Sequence, residues 1–273
     1  MVHFGVEFAI DRWKNETGTW RKWVGNLPLS NFTATNLNGA CVLPEPNMVK
    51  AGSEYKHINL YGEISQAQLN TYGDIFNIGR ESFHNGGSEA FLKIVASISS
   101  CFDRMISTKV YGLLNANPAY FEGKELFHAD HQNITVKTGD YEKDLEKALA
   151  LIFQQKIAID GTEQHLSIKP KFVLTGPEEA LPLTRALVDF NAAMADEDKI
   201  QVVIEPRLSG HNAWYLAGDK DVSSIRTFTL DGATKPTIMT KEYNQRNGMD
   251  VKYRYDFDVQ PVDYRSLVRV KQA

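Results

Sequence analysis

The stretch EAFLKIVASISSCFDRMISTKVYGLL, residues 89–114, carries the strongest periodic signal in the sequence. Its apolar residues recur at steps of three and four positions, which is the spacing of one face of an α-helix. The preceding GGS at 86–88 offers a start with Ser88 as the N-cap, and the NP at 117–118 offers a stop. At about 1.5 Å per residue the helix is about 39 Å long. The sequence therefore predicts one long helix with a single apolar stripe, against which a sheet can lie.

The segment 249–259 near the C-terminus alternates strictly between two kinds of residue. A two-residue period of this kind predicts a strand with one buried face and one exposed face. The NG at 247–248 is a typical hairpin turn, so we expect this strand to pair with residues 237–243. The apolar side chains expected in the core are those of Met249, Val251, Tyr253, Tyr255, Phe257 and Val259, whereas Asp250, Lys252, Arg254, Asp256 and Asp258 are expected to face water.

Between these two segments, shorter helical and strand patterns alternate along the chain. Residues 141–155 are predicted to form a helix that Asp140 caps, and Pro177 is predicted to open another helix, which Pro182 should kink or restart. Strands are predicted at 171–175, 201–205 and 214–217. Short strands interleaved with helices predict an α/β layer over residues 120–224.

The first quarter of the sequence is different, because it shows neither the periodicity of a helix nor that of a strand. Residues 12–52 are rich in Asn, Gly, Thr and Pro, and among them stand Trp13, Trp20, Trp23 and Phe32. A segment of this kind is predicted to be an arm or extended loop rather than part of a domain core. Its aromatic side chains would then need an adjoining copy of the chain to bury them.

Residues 54–81 alternate weakly and have no uniformly apolar face. This pattern predicts a poorly buried hairpin or pair of strands lying on a neighbouring copy.

Composition excludes several classes of protein. The chain has 273 residues, of which 42% are hydrophobic and 23% charged, and its net charge is −4. These values are ordinary for a globular protein, and the slight acidity argues against a nucleic-acid binder with a basic stripe. No stretch approaches the about 20 apolar residues of a membrane span, and residues 1–10 lack a secretory signal. Cys41 and Cys101 are expected to be reduced and at least half-buried.

One cluster has the composition of a metal site. His128, Asp130 and His131 place three ligand types within four residues, and further imidazoles are available elsewhere in the chain. The alternative is a polar turn in which Asp130 caps the backbone and the histidines bond locally, because neighbouring residues on a strand point to opposite faces. The candidate additional ligands are His57, His84, His165 and His211.

Other catalytic motifs are missing from the sequence. It contains no G-x-S-x-G elbow, no phosphate-binding G-x-x-x-x-G-K-[ST] loop and no G-x-G-x-x-G fingerprint. We therefore assign no catalytic residue, no cofactor and no metal ligand, and expect a protein that is not an enzyme. The acidic run 196–198 is interpreted as a solvated loop tip, or alternatively as a charged edge that meets Lys or Arg of a neighbouring copy.

Several of these segments, taken in order, resemble the Mu-like major head subunit family of tailed-phage major capsid proteins. The resemblance runs from about residue 55 to the C-terminus. Its motifs are NTYGDIFNIGRE (70–81), LLNANP (113–118), LFHADHQN (126–133), IDGTEQH (159–165), PKFVL (170–174), VIEPRL (203–208), WYLA (214–217) and VKYRYDF (251–257).

The resemblance implies an α+β fold of the Hong Kong 97 type, which has a long spine helix, a P-domain sheet, an α/β A-domain, an extended E-loop and an N-terminal arm. The implied organisation is an arm at 1–25, the E-loop at 26–75, the spine-helix region of the P-domain at 76–119, the A-domain at 120–224 and the P-domain sheet at 225–273.

The function implied by the resemblance is that of a major capsid protein. Its copies would assemble into the hexamers and pentamers of an icosahedral shell that encloses packaged double-stranded DNA, contacted weakly and non-specifically. Further implied partners are portal and scaffolding proteins, with decoration proteins as an additional candidate and no membrane. The expected location is the virion capsid, assembled in the host cytoplasm. Two alternatives stay open: a metal-dependent hydrolase using His128, Asp130 and His131, and a nanocompartment shell protein of the same fold.

Overall fold

The computed structural model describes residues 18–38, 64–121, 123–159, 162–242 and 248–272. Within these ranges the helices are α1 (Arg80–Ala116), α2 (Tyr141–Phe153) and α3 (Pro177–Ala192). The strands are β1 (Gly25–Leu29), β2 (Thr35–Asn38), β3 (Ile64–Ala67), β4 (Asn70–Gly79), β5 (Ala119–Phe121), β6 (Lys124–Glu125), β7 (Ile134–Val136), β8 (Lys156–Ile159), β9 (Thr162–His165), β10 (Pro170–Thr175), β11 (Gln201–Ile204), β12 (Ala213–Gly218), β13 (Ile225–Leu230), β14 (Thr237–Glu242), β15 (Gly248–Pro261) and β16 (Leu267–Lys271).

Helix α1 is the predicted long helix, and it is longer than expected. It begins at Arg80, directly after β4, and Gly79 is its N-cap. The prediction that residues 86–88 start the helix is therefore wrong. A glycine inside a helix costs about 1 kcal/mol relative to alanine and does not have to end it. The predicted stop is confirmed, because Asn117 takes a left-handed conformation with φ 47° and ends the helix.

The first sheet is built around β15. Strand β4 lies along one edge of β15, while β14 and β13 lie one after the other along the opposite edge, and β1 runs parallel to β13. The predicted pairing of β14 with β15 is confirmed, and the turn that joins them lies outside the described residues. Helix α1 packs on one face, where the ring of Phe102 meets Tyr253 and Tyr255 edge-on at 5.8 and 5.7 Å.

The alternation predicted for β15 is largely confirmed. Met249, Val251 and Phe257 are buried, whereas Lys252 and Arg254 are exposed. The exception is Asp258, which was expected to face water and is buried. At this end of the strand the opposite face is also covered, by a small apolar cluster made of Leu29, Ala67, Leu69, Phe228 and Val262.

The second sheet has the strand order β11-β10-β12-β16-β7. Helices α2 and α3 cover one face, and the end of α1 covers the other, where the hydroxyl of Tyr215 donates to the Leu114 carbonyl at 3.1 Å. This is the predicted α/β layer, with one correction. Strand β16 pairs with β12 and β7 and so belongs to this sheet, not to the sheet predicted at 225–273. Its valines, Val268 and Val270, are fully buried against α2 and α3.

The helix boundaries in this layer follow the local signals closely. The carboxylate of Asp140 accepts hydrogen bonds from the backbone N–H groups of Glu142 and Lys143, so the predicted cap of α2 is confirmed. Helix α3 begins at Pro177, as predicted, but it continues through Pro182 to Ala192. Of the two outcomes predicted at Pro182, a kink or a restart, the restart does not occur, because α3 is one continuous helix, in which Leu183 and Leu187 are buried.

The largest correction concerns residues 18–29, which we call the strap. Trp20, Trp23 and Val24 are buried in this chain's own core, with Trp23 only 1% exposed. The indole N–H of Trp20 donates to the Asp103 carboxylate at 3.1 Å, and that of Trp23 donates to the Tyr111 hydroxyl at 3.3 Å. The prediction that these indoles require an adjoining copy is therefore wrong, because α1 supplies both the apolar surface and the hydrogen-bond partners.

Strand β4 also corrects a prediction. It pairs with β15 of the same chain over residues 70–79, and the ring of Tyr72 lies 4.9 Å from that of Phe257. These residues are thus part of the first sheet and not a ribbon on a neighbour. The predicted boundary at 75/76 falls inside this strand, and the one at 25/26 falls inside β1. Strands β2 and β3 do form a separate two-stranded ribbon, whose continuation at 39–63 lies outside the described residues, as does Trp13.

Candidate assembly surfaces

The polar motif at 126–133 forms a short helical turn rather than a converging set of ligands. The backbone N–H of Asp130 donates to Nδ1 of His128 at 3.2 Å, so His128 acts as the cap of this turn. The Asp130 carboxylate lies 2.9 Å from Nζ of Lys124. This ion pair holds the pKa of Asp130 below its usual value.

His131, unlike the ion pair of Lys124 with Asp130, is buried in the protein. Its ring stacks on Tyr264, with ring centres 4.0 Å apart and planes 11° from parallel, and its Nδ1 lies 3.3 Å from the Leu126 carbonyl. Burial is the main cause that lowers the pKa of His131; the hydrogen bond to the Leu126 carbonyl opposes it, and His128, Lys124 and Arg265 lower the pKa further. His131 is therefore neutral at pH 7 and serves as a packing residue.

These contacts favour the polar-turn interpretation over the metal interpretation. In the ranges that the structure describes, no group of three or more His, Cys, Asp or Glu side chains is arranged to hold a metal ion. His128, Asp130 and His131 instead cap a turn, pair with a lysine and stack on a tyrosine. His57 lies outside the described residues.

Two asparagines that were not among the candidate site residues, Asn117 and Asn133, hold this region together. The Asn117 side chain accepts from the Phe127 N–H at 2.7 Å and donates to the Phe127 carbonyl at 3.1 Å. The buried Asn133 side chain donates to the Leu126 carbonyl at 2.9 Å and accepts from the His128 N–H at 3.1 Å. The motif thus joins the exit of α1 to the second sheet. The available sequence signals were the pairing of Asn117 with Pro118 and the places of Asn117 and Asn133 in the motifs LLNANP and LFHADHQN.

Two of the three carboxylates in the acidic run 196–198 form ion pairs within the chain. The Asp196 carboxylate lies 2.5 Å from Nζ of Lys199, and that of Asp198 lies 2.8 Å from Nζ of Lys169. All of these groups lie near the surface, so the geometry favours a solvated loop tip over an edge that waits for a neighbour's cations.

Cys101 is exposed on α1, contrary to the expectation that it is at least half-buried. Ile98 and Phe102, which lie three positions before and one position after Cys101, are buried. Cys101 therefore lies beside the buried stripe of α1 and not within it. Cys41 lies outside the described residues.

Large exposed apolar side chains mark surfaces that could meet other molecules. One set lies on α3, where Leu181 and Val188 are each 59% exposed. They are seven residues apart and therefore lie on the same helix face, two turns from each other. We call this pair the α3 stripe.

A second set lies on the face of the first sheet that α1 leaves open. Lys252 in β15 is paired with Ile75 in β4 on one side and with Met239 in β14 on the other. Directly paired residues point to the same face, so the three side chains form a row across three strands. Ile75 is 59% and Met239 49% exposed. We call this arrangement the outer-face row.

The helices of the described residues do not include one that is both long and apolar enough to cross a membrane.

Comparisons with known proteins agree with this architecture. A family model described as phage capsid protein matches residues 62–270, which is well over half of the chain. A comparison with curated protein sequences gives no significant match.

Solved structures similar to this chain are similar in fold, at low sequence identity. A phage-related protein of Bordetella bronchiseptica is 12% identical with a TM-score of 0.62, and the match covers 98% of this chain and 96% of that one. The encapsulin of Synechococcus elongatus is 10% identical with a TM-score of 0.59, over 94% of this chain and 88% of that one. The capsid protein of Cyanophage P-SCSP1u is 7% identical with a TM-score of 0.58, over 94% and 89%.

The long helix packed on one face of a sheet, the separate α/β layer, and the family match over both of them lead to one assignment. This chain belongs to the phage capsid protein family, and it has the α+β capsid fold of the Hong Kong 97 type.

Proposed function

We propose that this chain is the major head subunit of a tailed phage of the Mu-like kind, and that its copies close into an icosahedral shell as hexamers and pentamers. The observation that carries the proposal is the pair of apolar surfaces left open on a capsid fold, namely the α3 stripe and the outer-face row. Both are small, as suits contacts that must form and adjust between many copies.

Repetition provides the stability of such a shell. Each copy would offer several modest contact surfaces, and closed symmetry repeats every one of them over the whole particle. Once a copy is held by one neighbour, its other contacts form at a high effective concentration. Strong individual interfaces are therefore not required.

The proposed assignment of capsid domains follows the two sheets. The first sheet with α1 would be the P-domain, and the second sheet with α2, α3 and β16 would be the A-domain around the symmetry axes. The E-loop would be limited to residues 30–69, because residues 25–29 and 70–79 are strands of the first sheet. The arm would be limited to the residues before the strap.

The cargo in this proposal is double-stranded DNA held without sequence preference. The net charge of −4 suits that role, since a strongly basic inner wall would bind phosphates tightly and hinder packing. Portal and scaffolding proteins, with decoration proteins as a further candidate, are the proposed additional partners. Assembly in the host cytoplasm and a role without catalysis belong to the same proposal.

A nanocompartment shell is the second candidate, and the likeness to the Synechococcus elongatus encapsulin supports it. The two candidates differ in cargo. The test is to purify shells gently from an expressing host, treat them with nuclease and then open them. A phage head should release protected DNA, and only if a packaging system was also present. A nanocompartment should release a defined protein.

The shell proposal is tested by the size of the purified full chain, measured by light scattering and negative-stain microscopy. We expect closed particles of megadalton mass. The double variant Leu181→Asp/Val188→Asp should give soluble folded subunits that assemble poorly, because both side chains are exposed in the subunit. Ala150→Asp, on the exposed face of α2, is the matched control and should assemble normally. A chain of 30.8 kDa that stays monomeric under all assembly conditions would contradict the proposal.

A further inference from the structure

A cavity of about 380 Å³ lies where the strap meets the first sheet. Its apolar walls include Trp20 from the strap, Ile106 from α1 and Phe257 from β15. This volume is within the range of sites that hold a small ligand or a few side chains. The cavity also carries charge, because Lys220 and Arg226 line it.

Among the described residues, neither of these two cations forms an ion pair with a carboxylate, although the charges of Asp221 and Asp263 act on Arg226 from a longer distance. The guanidinium of Arg226 donates to the backbone carbonyl of Asp221, and within the described ranges no carboxylate oxygen lies within 4 Å of that guanidinium or of Nζ of Lys220. Arg21 also lines the cavity, but the Asp103 carboxylate lies 2.8 Å from its Nε and balances its charge. Burial lowers the pKa of Arg226, the carboxylates of Asp221 and Asp263 act in the opposite direction, and the arginine remains protonated at neutral pH.

The neutral polar groups of the cavity are already engaged. The hydroxyl of Thr227 donates to the Gly25 carbonyl at 3.2 Å, and the hydroxyl of Tyr255 donates to the Ala233 carbonyl at 3.0 Å. The donors left over are therefore the cationic ones, Lys220 and Arg226. A ligand matched to this cavity must supply negatively charged acceptor oxygens together with an apolar part that fits the walls.

We propose that the cavity receives an acidic side chain, with an adjacent apolar residue, from a second copy of this chain. The inference rests on the proposed shell, which brings copies into contact. Charge complementarity favours a second copy, because the chain is acidic overall and exposes carboxylates without an ion pair among the described residues, such as Glu142, Glu146 and Asp189. Closing the cavity with such a segment would remove water and strengthen the attraction between the charges.

A DNA phosphate fits this cavity less well. Binding to a nucleic-acid backbone generally uses a basic stripe on an accessible surface. Here the two cations that form no ion pair among the described residues, the exposed Lys220 and the half-buried Arg226, line a concave site with apolar walls, and Asp221 lines it as well. The geometry therefore favours a single carboxylate on a peptide.

The test uses the full chain with the double substitution Lys220→Gln/Arg226→Gln. Lys235→Gln is the matched control, because Lys235 is an exposed lysine near the cavity that does not line it. The readouts are the melting temperature of the unassembled subunit, the protein concentration at which shells appear, and the dependence of that concentration on salt. The DNA content of shells formed with a packaging system is measured as well.

We expect the double variant to melt close to the unsubstituted subunit but to need about tenfold more protein to assemble, with a weaker dependence on salt. The control should behave as the unsubstituted chain does. If the double variant assembles at the normal protein concentration and with the normal salt dependence, this inference is overturned but the shell proposal is not. If, in addition, its shells contain less DNA, the cavity is a phosphate site instead. Failure of the unsubstituted chain to assemble would overturn the shell proposal, and this inference with it.

Discussion

The two sheets of this protein differ in how many of their faces the chain itself covers. Strand β12 of the second sheet, AWYLAG, is buried at every position because helices lie on both sides of it. Strand β15 of the first sheet alternates, because α1 covers one face and leaves Lys252 and its neighbours in the outer-face row exposed. The second sheet is thus complete within one subunit. The first sheet retains a face that another molecule can meet.

The largest expected effect tests whether the strap, like the second sheet, is covered by its own subunit. Trp23→Ala should lower the free energy of unfolding of the unassembled subunit by about 3–5 kcal/mol, since it empties a fully buried site on α1. Urea denaturation measures this change. Phe32→Ala, at an exposed aromatic, is the control and should change stability by no more than about 0.5 kcal/mol. Unchanged stability in Trp23→Ala would mean that a neighbouring copy covers the strap after all.

The second prediction compares the two sheets directly. Leu216→Ala in β12 should cost about 2–5 kcal/mol, because its side chain is buried between the sheet and the helices. Ile75→Ala in the outer-face row should alter the unassembled subunit by no more than about 0.5 kcal/mol. Chemical denaturation of both variants provides the measurement. Equal losses at the two positions would show that the open face is covered within the subunit.

A smaller effect is expected from the hydrogen bonds of the strap. The Asp103 carboxylate accepts from the Trp20 indole and from Nε of Arg21 at 2.8 Å. Asp103→Asn removes the charge and should destabilise the subunit by about 1.5–3 kcal/mol, as measured by urea denaturation. Asp130→Asn, whose carboxylate is exposed beside Lys124, should change stability little. If the two variants behave alike, Asp103 does not anchor the strap.

The smallest effect is a dependence of stability on pH. Folding lowers the pKa of His131 below its usual 6.5, so the unfolded chain binds a proton more readily than the native one. The stability contributed by neutral His131 is therefore present above about pH 6.5 and is lost as the pH falls through and below that value. In His131→Phe this part of the slope should disappear, while the ring can still stack on Tyr264. Urea denaturation between pH 7.5 and 5, with His211→Gln as control, measures it, and an unchanged slope in His131→Phe would contradict the assignment.

Local sequence patterns predicted those features that depend on neighbours close in the sequence. The stripe of α1, the alternation of β15 and the Asp140 cap of α2 each depend on neighbours within a few positions. The patterns did not reveal what covers the strap, because Trp20 meets Asp103 and Trp23 meets Tyr111 more than 80 positions away. The position of β16 between β12 and β7 is likewise a matter of long-range pairing.

The candidate sites show the same limit. The residue types of the 128–131 turn were compatible with a metal ligand set and with a capped turn, and the contacts of His131 with Tyr264 and Leu126 favour the turn. Neither the α3 stripe nor the outer-face row was expected from the sequence. Ile75 and Met239 come together only because both strands pair with β15.

A cryo-EM map of particles formed by the full chain is the most direct test of the central claim, which is that subunits meet through the faces they leave open while each strap stays in its own subunit. The account predicts a closed shell in which the outer-face row and the α3 stripe lie against neighbouring copies and Trp23 packs on its own α1. A shell in which Trp23 inserts into another subunit, with both apolar surfaces facing solvent, would contradict it.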